Sequence, residues 1–329
     1  MTRQVYSGTF SEPETTYRLH RGDPFSPREA VGPGTISSLG SLEISTEKPE
    51  KQRRLAFANW IVSPDNPLTP RVIVNRVWQH YFGSGIVDTP SDFGANGTMP
   101  THPLLLDWLA VELVENGWSL KHIHRLILDS ATFRQSSHPR ARARPVASYS
   151  RLLWPVPPRP LEAEPFRDSI LSISGRLDLR PGGPGYSIFE IQREGVRHYF
   201  PLKEYGPEHW RRMIYMTKVR QEQDSVFGLF DCPDASQVMP RRSRSTTPLQ
   251  ALNLFNSHFV IQQAEFMAER LKEDVGAGSA DQARHAFLLT FSRPPTAAEL
   301  RDSAALIDDH DLVTLCRALM NSNEFLFIP

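Results

Sequence analysis

Cysteine is scarce in this chain: Cys232 and Cys316 are the only two in 329 residues. Two thiols cannot build a disulfide scaffold, a Cys-rich zinc site or an iron–sulfur cluster, and whether paired or free they leave the redox compartment open. Net charge is missing too. The 37 basic and 37 acidic side chains cancel, which removes the global electrostatic case for nucleic acid or an anionic membrane surface as partner. No apolar run approaches the roughly 20 residues of a membrane helix, so no membrane insertion is expected. The richest run, Leu104 to Val114, is broken by Asp107 and Glu112. The first twenty residues lack the basic-then-apolar order of a secretory signal. Catalytic signatures are absent as well: there is no Gly-x-Ser-x-Gly, no phosphate loop, no Gly-x-Gly-x-x-Gly and no His-Glu-x-x-His. Without Cys-x-x-Cys-His there is no covalent c-type haem in this chain. Asp92-Phe93-Gly94 has the letters of a kinase magnesium motif but no companion signal, and it reads as a turn.

What is present is an ordinary globular composition, 40% hydrophobic and 22% charged, on a chain large enough for two cores. Its 28 prolines and 19 glycines imply much loop. Residues 1–48, rich in Pro, Gly, Ser and Thr, read as an extended arm over a core. Residues 49–137 read as a helical subdomain. One helix around Leu55, Trp60 and Ile61 ends at the Ser63–Pro67 turn. A second is expected to be capped by Thr69 with Pro70 at its first position, to bury Ile73, Val77 and Tyr81, and to stop at Gly83. A third starts at Pro103, carries Leu105, Trp108, Leu109 and Glu112, and ends at Asn116-Gly117. A fourth is capped by Ser119, with Leu120, Ile123, Leu126 and Ile127 on its face.

Residues 138–150 read as a linker whose Arg140, Arg142 and Arg144 suit a solvated loop better than a docking strip. Residues 151–245 read as a mixed region: a helix beginning near Glu162–Glu164, since Pro165 is tolerable only in a first turn, then short extended pieces at Ser187–Ile191, Arg212–Lys218 and Ser225–Phe230. Residues 246–329 return to helix. One long helix is expected from Thr247-Pro248, with Leu252, Phe255, Phe259, Phe266 and Leu271 buried, followed by helices at 280–291, 297–308 and 311–322. Thr296 and Glu299 have capping-box spacing. The fold class is mainly α, two helical parts with a small mixed or β region and long Pro/Gly-rich loops, and 49–329 is expected to form one compact unit.

Few residues carry chemistry. His122 and His124 are two apart, so on a helix they point to nearly opposite sides and cannot share a metal. His80 and His102 flank the loop holding Asp88 and Asp92. That is an acceptable donor set in type, but the irregular spacing favours turn and capping roles, and no metal site is assigned. Glu164 and Asp168 share a helical face beside Arg167. Paired carboxylates can do acid–base work, but acids near a helix start also favour the dipole and pair with Arg167. The richest stretch is Phe230–Asn256. It places Asp231 and Asp234 before Arg241, Arg242 and Arg244, and then a capped helix bearing Gln250, Asn253 and Asn256 at three-residue spacing. Amides and guanidiniums are directional donors suited to polyhydroxyl or carboxylate ligands. The same residue types would equally staple a loop to a helix, with Asp231, Arg241 and Arg242 in one buried network.

The long stretch from LAFANWIVSPDNPLTPRVIVNRVWQHYFGSGIVDTPSDFG to TFRQSS, the block LEAEPFRDSILSISGRL and the Phe230–Asn256 stretch together resemble, in the same order, the planctomycete-type domain of unknown function 1553. The resemblance runs from about residue 18 to the C-terminus. It departs at Trp154–Pro160, where the family is usually Arg-rich, and at Pro165. It implies a module of large, usually exported proteins with a cytochrome c-type or other companion domain upstream. This chain would then be a fragment, a split gene product or a short member. It implies an extracytoplasmic, cell-envelope setting, although the lack of a signal sequence leaves the cytoplasm open. No cofactor belongs to this chain, and haem would sit only in a separate or upstream domain. The resemblance carries over no catalytic residue. Three functions follow as expectations: a non-catalytic binding or assembly module contacting a partner domain or a glycan through Phe230–Asn256; a hydrolase on a polysaccharide, with Asp231, Asp234 and Glu164 as acid or base and Arg242 holding an anionic group; or a structural part of a cytochrome-linked assembly. Whether the chain is an enzyme stays open.

Overall fold

The computed structural model describes residues 8–42, 44–137, 152, 153, 158–220, 222 and 226–328. Arg140, Arg142, Arg144 and the Trp154–Pro157 segment lie outside them. The chain divides into two compact units, 1–156 and 157–329. Among the described residues, no helix is long and apolar enough to cross a membrane.

In the first unit, β1 (Thr16–Leu19) and β2 (Pro27–Val31) form an antiparallel hairpin, fully exposed, in register Thr16↔Val31 and Tyr17↔Ala30. Helix α1 (Glu50–Ile61) buries no residue completely, and Leu55 is exposed on it. Helices α2 (Leu68–Phe82), α3 (Pro103–Glu115) and α4 (Leu120–Leu128) enclose a core. The expected stripe on α2 is displaced by one residue. Val74, Trp78 and Phe82 are the buried positions, and Ile73, Val77 and Tyr81 pack at their flanks. On α3, likewise, Leu106, Leu109, Ala110 and Leu113 are buried while Trp108 is exposed. Each helix carries two adjacent apolar rows, and only packing selects between them.

The start of α2 also differs from expectation. The Oδ1 atom of Asn66 accepts from the amides of Leu68 (3.0 Å) and Thr69 (3.4 Å), so Asn66, not Thr69, satisfies the first orphan donors. Gly83 ends the helix with φ 81°, and Ser119 caps α4. Completely buried Asn75 fixes the loop after α2, accepting from the Val87 amide (2.8 Å) and donating to its carbonyl (2.9 Å). A Cβ on Gly85 would sit 2.6 Å from the Asn75 amide nitrogen, so glycine is what lets the loop approach.

The second unit is built around α5 (Ala163–Ile173), α7 (His258–Val275), α8 (Ser279–Phe291) and α10 (Leu312–Met320), with α6 (Pro248–Asn256), α9 (Ala297–Asp309) and α11 (Asn323–Leu326) beside them. Pro165 falls in the first turn of α5. Two short sheets accompany the helices. In one, β3 (Arg159–Pro160) pairs antiparallel with β6 (Phe327–Ile328). In the other, β4 (Phe189–Glu194) and β5 (Val196–Pro201) form a hairpin turning at Gly195, φ 76°.

Two expectations are corrected here. The long helix from Pro248 is two helices, because Ser257 has extended backbone (ψ 135°). Its N–H donates to the Asn253 carbonyl and its hydroxyl caps α7 at Val260. Leu252 and Phe255 consequently face outward, while Leu254, Phe259 and Leu271 are buried. The Phe227–Phe230 segment is a 3-10 turn rather than extended chain. The Thr296/Glu299 capping box is present on α9.

Candidate functional site

A cleft of the second unit forms where the start of α6 meets the β3–β6 ladder and the loop before α6. The ladder brings the start and end of this unit together: Leu161 N–H donates to the Leu326 carbonyl (2.8 Å). The loop is pinned to the 3-10 turn by Asp231, which ends that turn with φ 56°. Its carboxylate accepts from the Ser245 amide (2.6 Å) and hydroxyl (2.9 Å). Gln250 locks the same loop from α6. Its Oε1 atom accepts from the Thr247 amide (3.0 Å) in a capping box, and its Nε2 atom donates to the Leu229 carbonyl (2.8 Å) and the Ser245 carbonyl (3.2 Å). The cleft has room for about 110 Å³ and is lined by apolar Phe230, Leu326 and Phe327 together with Arg242, Arg244, Thr246, Asn321 and Asn323.

Arg242 belongs to a second network. It forks onto Glu164 of α5, with Nη2 2.8 Å from Oε1, and its Nη1 atom lies 3.2 Å from Glu162. Burial by itself would raise the Glu164 carboxyl, but the Arg242 guanidinium overcomes this and leaves it below the ordinary carboxylate range. Arg242 is raised in turn, chiefly by the hydrogen bonds to Glu164. The anticipated single network is thus two: Asp231–Ser245–Gln250 staples the loop to α6, and Arg242–Glu164 ties it to α5. Arg241 is exposed.

Arg244 is exposed at the cleft. Its charge is felt by Arg159, whose guanidinium is pushed down first by burial and then by Arg244. Asp234 is outside the cleft. Hydrogen bonds from the Ser236 hydroxyl and amide hold its carboxyl below the usual range. The amides of α6 do not converge on one ligand. Gln250 lines the cleft, whereas Asn253 and Asn256 line a separate depression of about 480 Å³ with Leu202, Leu249 and Leu252.

The other candidates are dispersed. Arg167 is core, 1% exposed. Asp168 accepts from Arg212 (2.9 Å) and from the Met213 amide (2.8 Å), not from Arg167. In the first unit, Asp92 accepts from the Gly94 amide, the Asp88 amide donates to Thr98, and the His102 ring contacts Thr101. His80 sits on α2. His122 and His124 diverge as their spacing requires, to Glu112 and to Tyr81 respectively. Among the described residues no three His, Cys, Asp or Glu side chains are grouped to hold a metal.

Sequence reading missed the cleft residues Asn321, Asn323 and Phe327. They lie about seventy residues beyond α6 and carry no motif; the β3–β6 pairing and the contact of Asn321 with α6 bring them there. The Asn321 Oδ1 atom is buried without a hydrogen-bond partner, while its Nδ2 atom reaches the Ala251 carbonyl.

Residues 53–307 match the PSD1 family, described as proteins of unknown function (DUF1553). The chain belongs to that family. It matches no curated protein and no solved structure. The matched residues span both compact units and include α6, but stop short of the α11–β6 segment that completes the cleft of this DUF1553 member.

Proposed function

We propose that the chain is a non-catalytic binding or assembly module and that the cleft at the start of α6 takes a glycan. The observation that carries this reading is the state of the acids. A general acid needs a raised pKa and a partner carboxylate left ionised. Here Glu164 and Asp234 are both shifted downward by hydrogen bonds from partners, and Asp231 is committed to Ser245. Glu162, the other acid at the cleft, faces Arg242 at 3.2 Å, and the rest of the lining is a mixture of aromatic and aliphatic surface with amides, hydroxyls and the Arg244 guanidinium. Sugars present apolar ring faces between hydroxyls, so such a lining suits them. The Arg244 guanidinium at the cleft favours a carboxylate or sulfate substituent over a neutral sugar. A glycan also fits the extracytoplasmic setting that the family resemblance implies.

The test is a thermal-shift series with neutral, uronic-acid and sulfated oligosaccharides on the wild type and on Arg244→Ala. Saturation at 100 times the dissociation constant adds roughly 2.7 kcal/mol, which moves the midpoint by several degrees. An acidic glycan should produce that shift in the wild type and not in the variant. A well-folded sample that responds to none of them overturns the glycan reading and leaves a protein domain as the partner. Release of reducing ends from any of these substrates would restore the hydrolase.

A further inference from the structure

Cys232 is buried, 5% exposed, yet it is not chemically alone. The Lys218 ammonium donates to its sulfur at 2.8 Å, and a Glu164 oxygen lies 3.9 Å away. A small depression of about 10 Å³, lined by Ile188, Met216, Glu222 and Pro233, ends on this pair. That is room for about one water-sized molecule. We propose that Cys232 and Lys218 are an oxidative cross-linking site, joined covalently when hydrogen peroxide reaches the sulfur beside the exposed Lys218 side chain.

The chemistry balances with one equivalent of hydrogen peroxide. The Cys232 thiol gives up its proton and its sulfur attacks one peroxide oxygen. The S–O bond forms, the O–O bond breaks, and water leaves, giving a sulfenic acid. Lys218, having lost a proton to solvent, then attacks that sulfur with its nitrogen lone pair. The S–N bond forms, the S–O bond breaks, and a second water leaves. Sulfur is oxidised by two electrons and peroxide is reduced by two. With a second peroxide equivalent, the lysine nitrogen attacks one peroxide oxygen, the O–O bond breaks and water leaves, giving a hydroxylamine; its oxygen then displaces the sulfenic hydroxyl as water, so that an N–O–S link forms and three waters leave in all.

Two features set the site apart from an ordinary buried thiol. The amine is already hydrogen-bonded to the sulfur, so its capture is intramolecular, whereas further oxidation needs a second oxidant molecule to arrive. The charges facing the sulfur are Lys218, Glu164 and Arg242. Burial pushes the Cys232 thiol up, and Lys218 offsets part of that rise. Attack on peroxide needs the thiolate, so cross-linking should accelerate with pH, still climbing above pH 9.0, the ordinary thiol value. Cys316, completely buried and pushed up to about 12 by desolvation, is the internal control.

The experiment is peroxide treatment of the full chain followed by peptide mapping without reductant. The expected product joins the peptides containing Lys218 and Cys232, blocks trypsin after Lys218, and is about 2 Da lighter than the reduced pair, or about 14 Da heavier where oxygen is retained. Either mass with that linkage supports the proposal, and thiol reductant should reverse it. Lys218→Arg keeps the positive charge, and it should leave Cys232 as oxidised acid without linkage. Wild-type chain in which Cys232 gains about 32 Da while trypsin still cuts after Lys218 overturns the proposal. So does an unmodified Cys232 when exposed methionines in the same sample are oxidised. The wild-type map decides by itself should the variant fail to fold.

Discussion

Arg167 stands in the sequence among acids at a helix start, where an arginine is ordinarily a solvated partner for them. In the structure it pairs with none of them. Its guanidinium donates to the backbone carbonyls of His209 and Arg211 (2.9 Å to the latter) and lies 5.4 Å and 5.1 Å from the ring centres of Tyr186 and Phe259. The role is to satisfy carbonyls that an irregular segment brings into the core. Arg167→Met should cost about 3 kcal/mol or more in urea unfolding, because two buried acceptors lose their donors. Arg167→Lys should recover only part of it, since one ammonium cannot match the planar fork. Glu299 gives a pH-dependent counterpart on the surface. The bidentate Arg293 guanidinium, helped by the Thr296 amide, holds its carboxyl down to about 2 against 4.5 in the unfolded chain. A depressed carboxyl adds stability above its unfolded value and loses it as pH falls through the folded one. Stability followed from pH 5 to pH 2 should therefore decline less steeply in Glu299→Gln than in the wild type.

The order of the elements was readable because capping is local chemistry. Pro103, Ser119, Thr247-Pro248 and the Thr296/Glu299 box mark helix starts where the structure has them. The departures occur where two local rules compete. At α2, Thr69-Pro70 has the letters of a cap, but the helix starts earlier, at Leu68, and Asn66 accepts from the Leu68 and Thr69 amides there. Asn66→Ala should cost about 1 kcal/mol, and Thr69→Ala less than about 0.5 kcal/mol; chemical unfolding of the two variants separates the assignments. At Ser257 no Gly or Pro signals a break, so the apolar run from Leu249 to Leu271 reads as one stripe. The serine supplies both the stop and the next cap, and that exposes Leu252 and Phe255 beside the second depression.

At the scale of the molecule the two buried cores share no residue: one is drawn from α2, α3 and α4 with their loops, the other from α5 through α11. Each unit closes its own hydrophobic cluster, so residues 157–329 expressed alone should give a single cooperative thermal transition with near-ultraviolet dichroism. A broad, noncooperative melt would mean that this core depends on the first unit. The cleft, by contrast, belongs to no local stretch. Arg242 and Glu164 meet across 78 residues, and the Asn321–Phe327 wall arrives through pairing of β6 with β3 and the bond from Asn321 to Ala251. The sequence by itself determined the helical class, most helix boundaries and the divergence of His122 and His124. These follow from propensity, capping and periodicity, which act over a few residues. Tertiary structure decided which of two apolar rows is buried, that Arg167 is a core residue, that Arg242 serves α5 while Arg244 faces the cleft, and that Lys218 rests on Cys232. Burial and pairing of this kind depend on which distant surfaces exclude water together, and no short window of sequence contains that information.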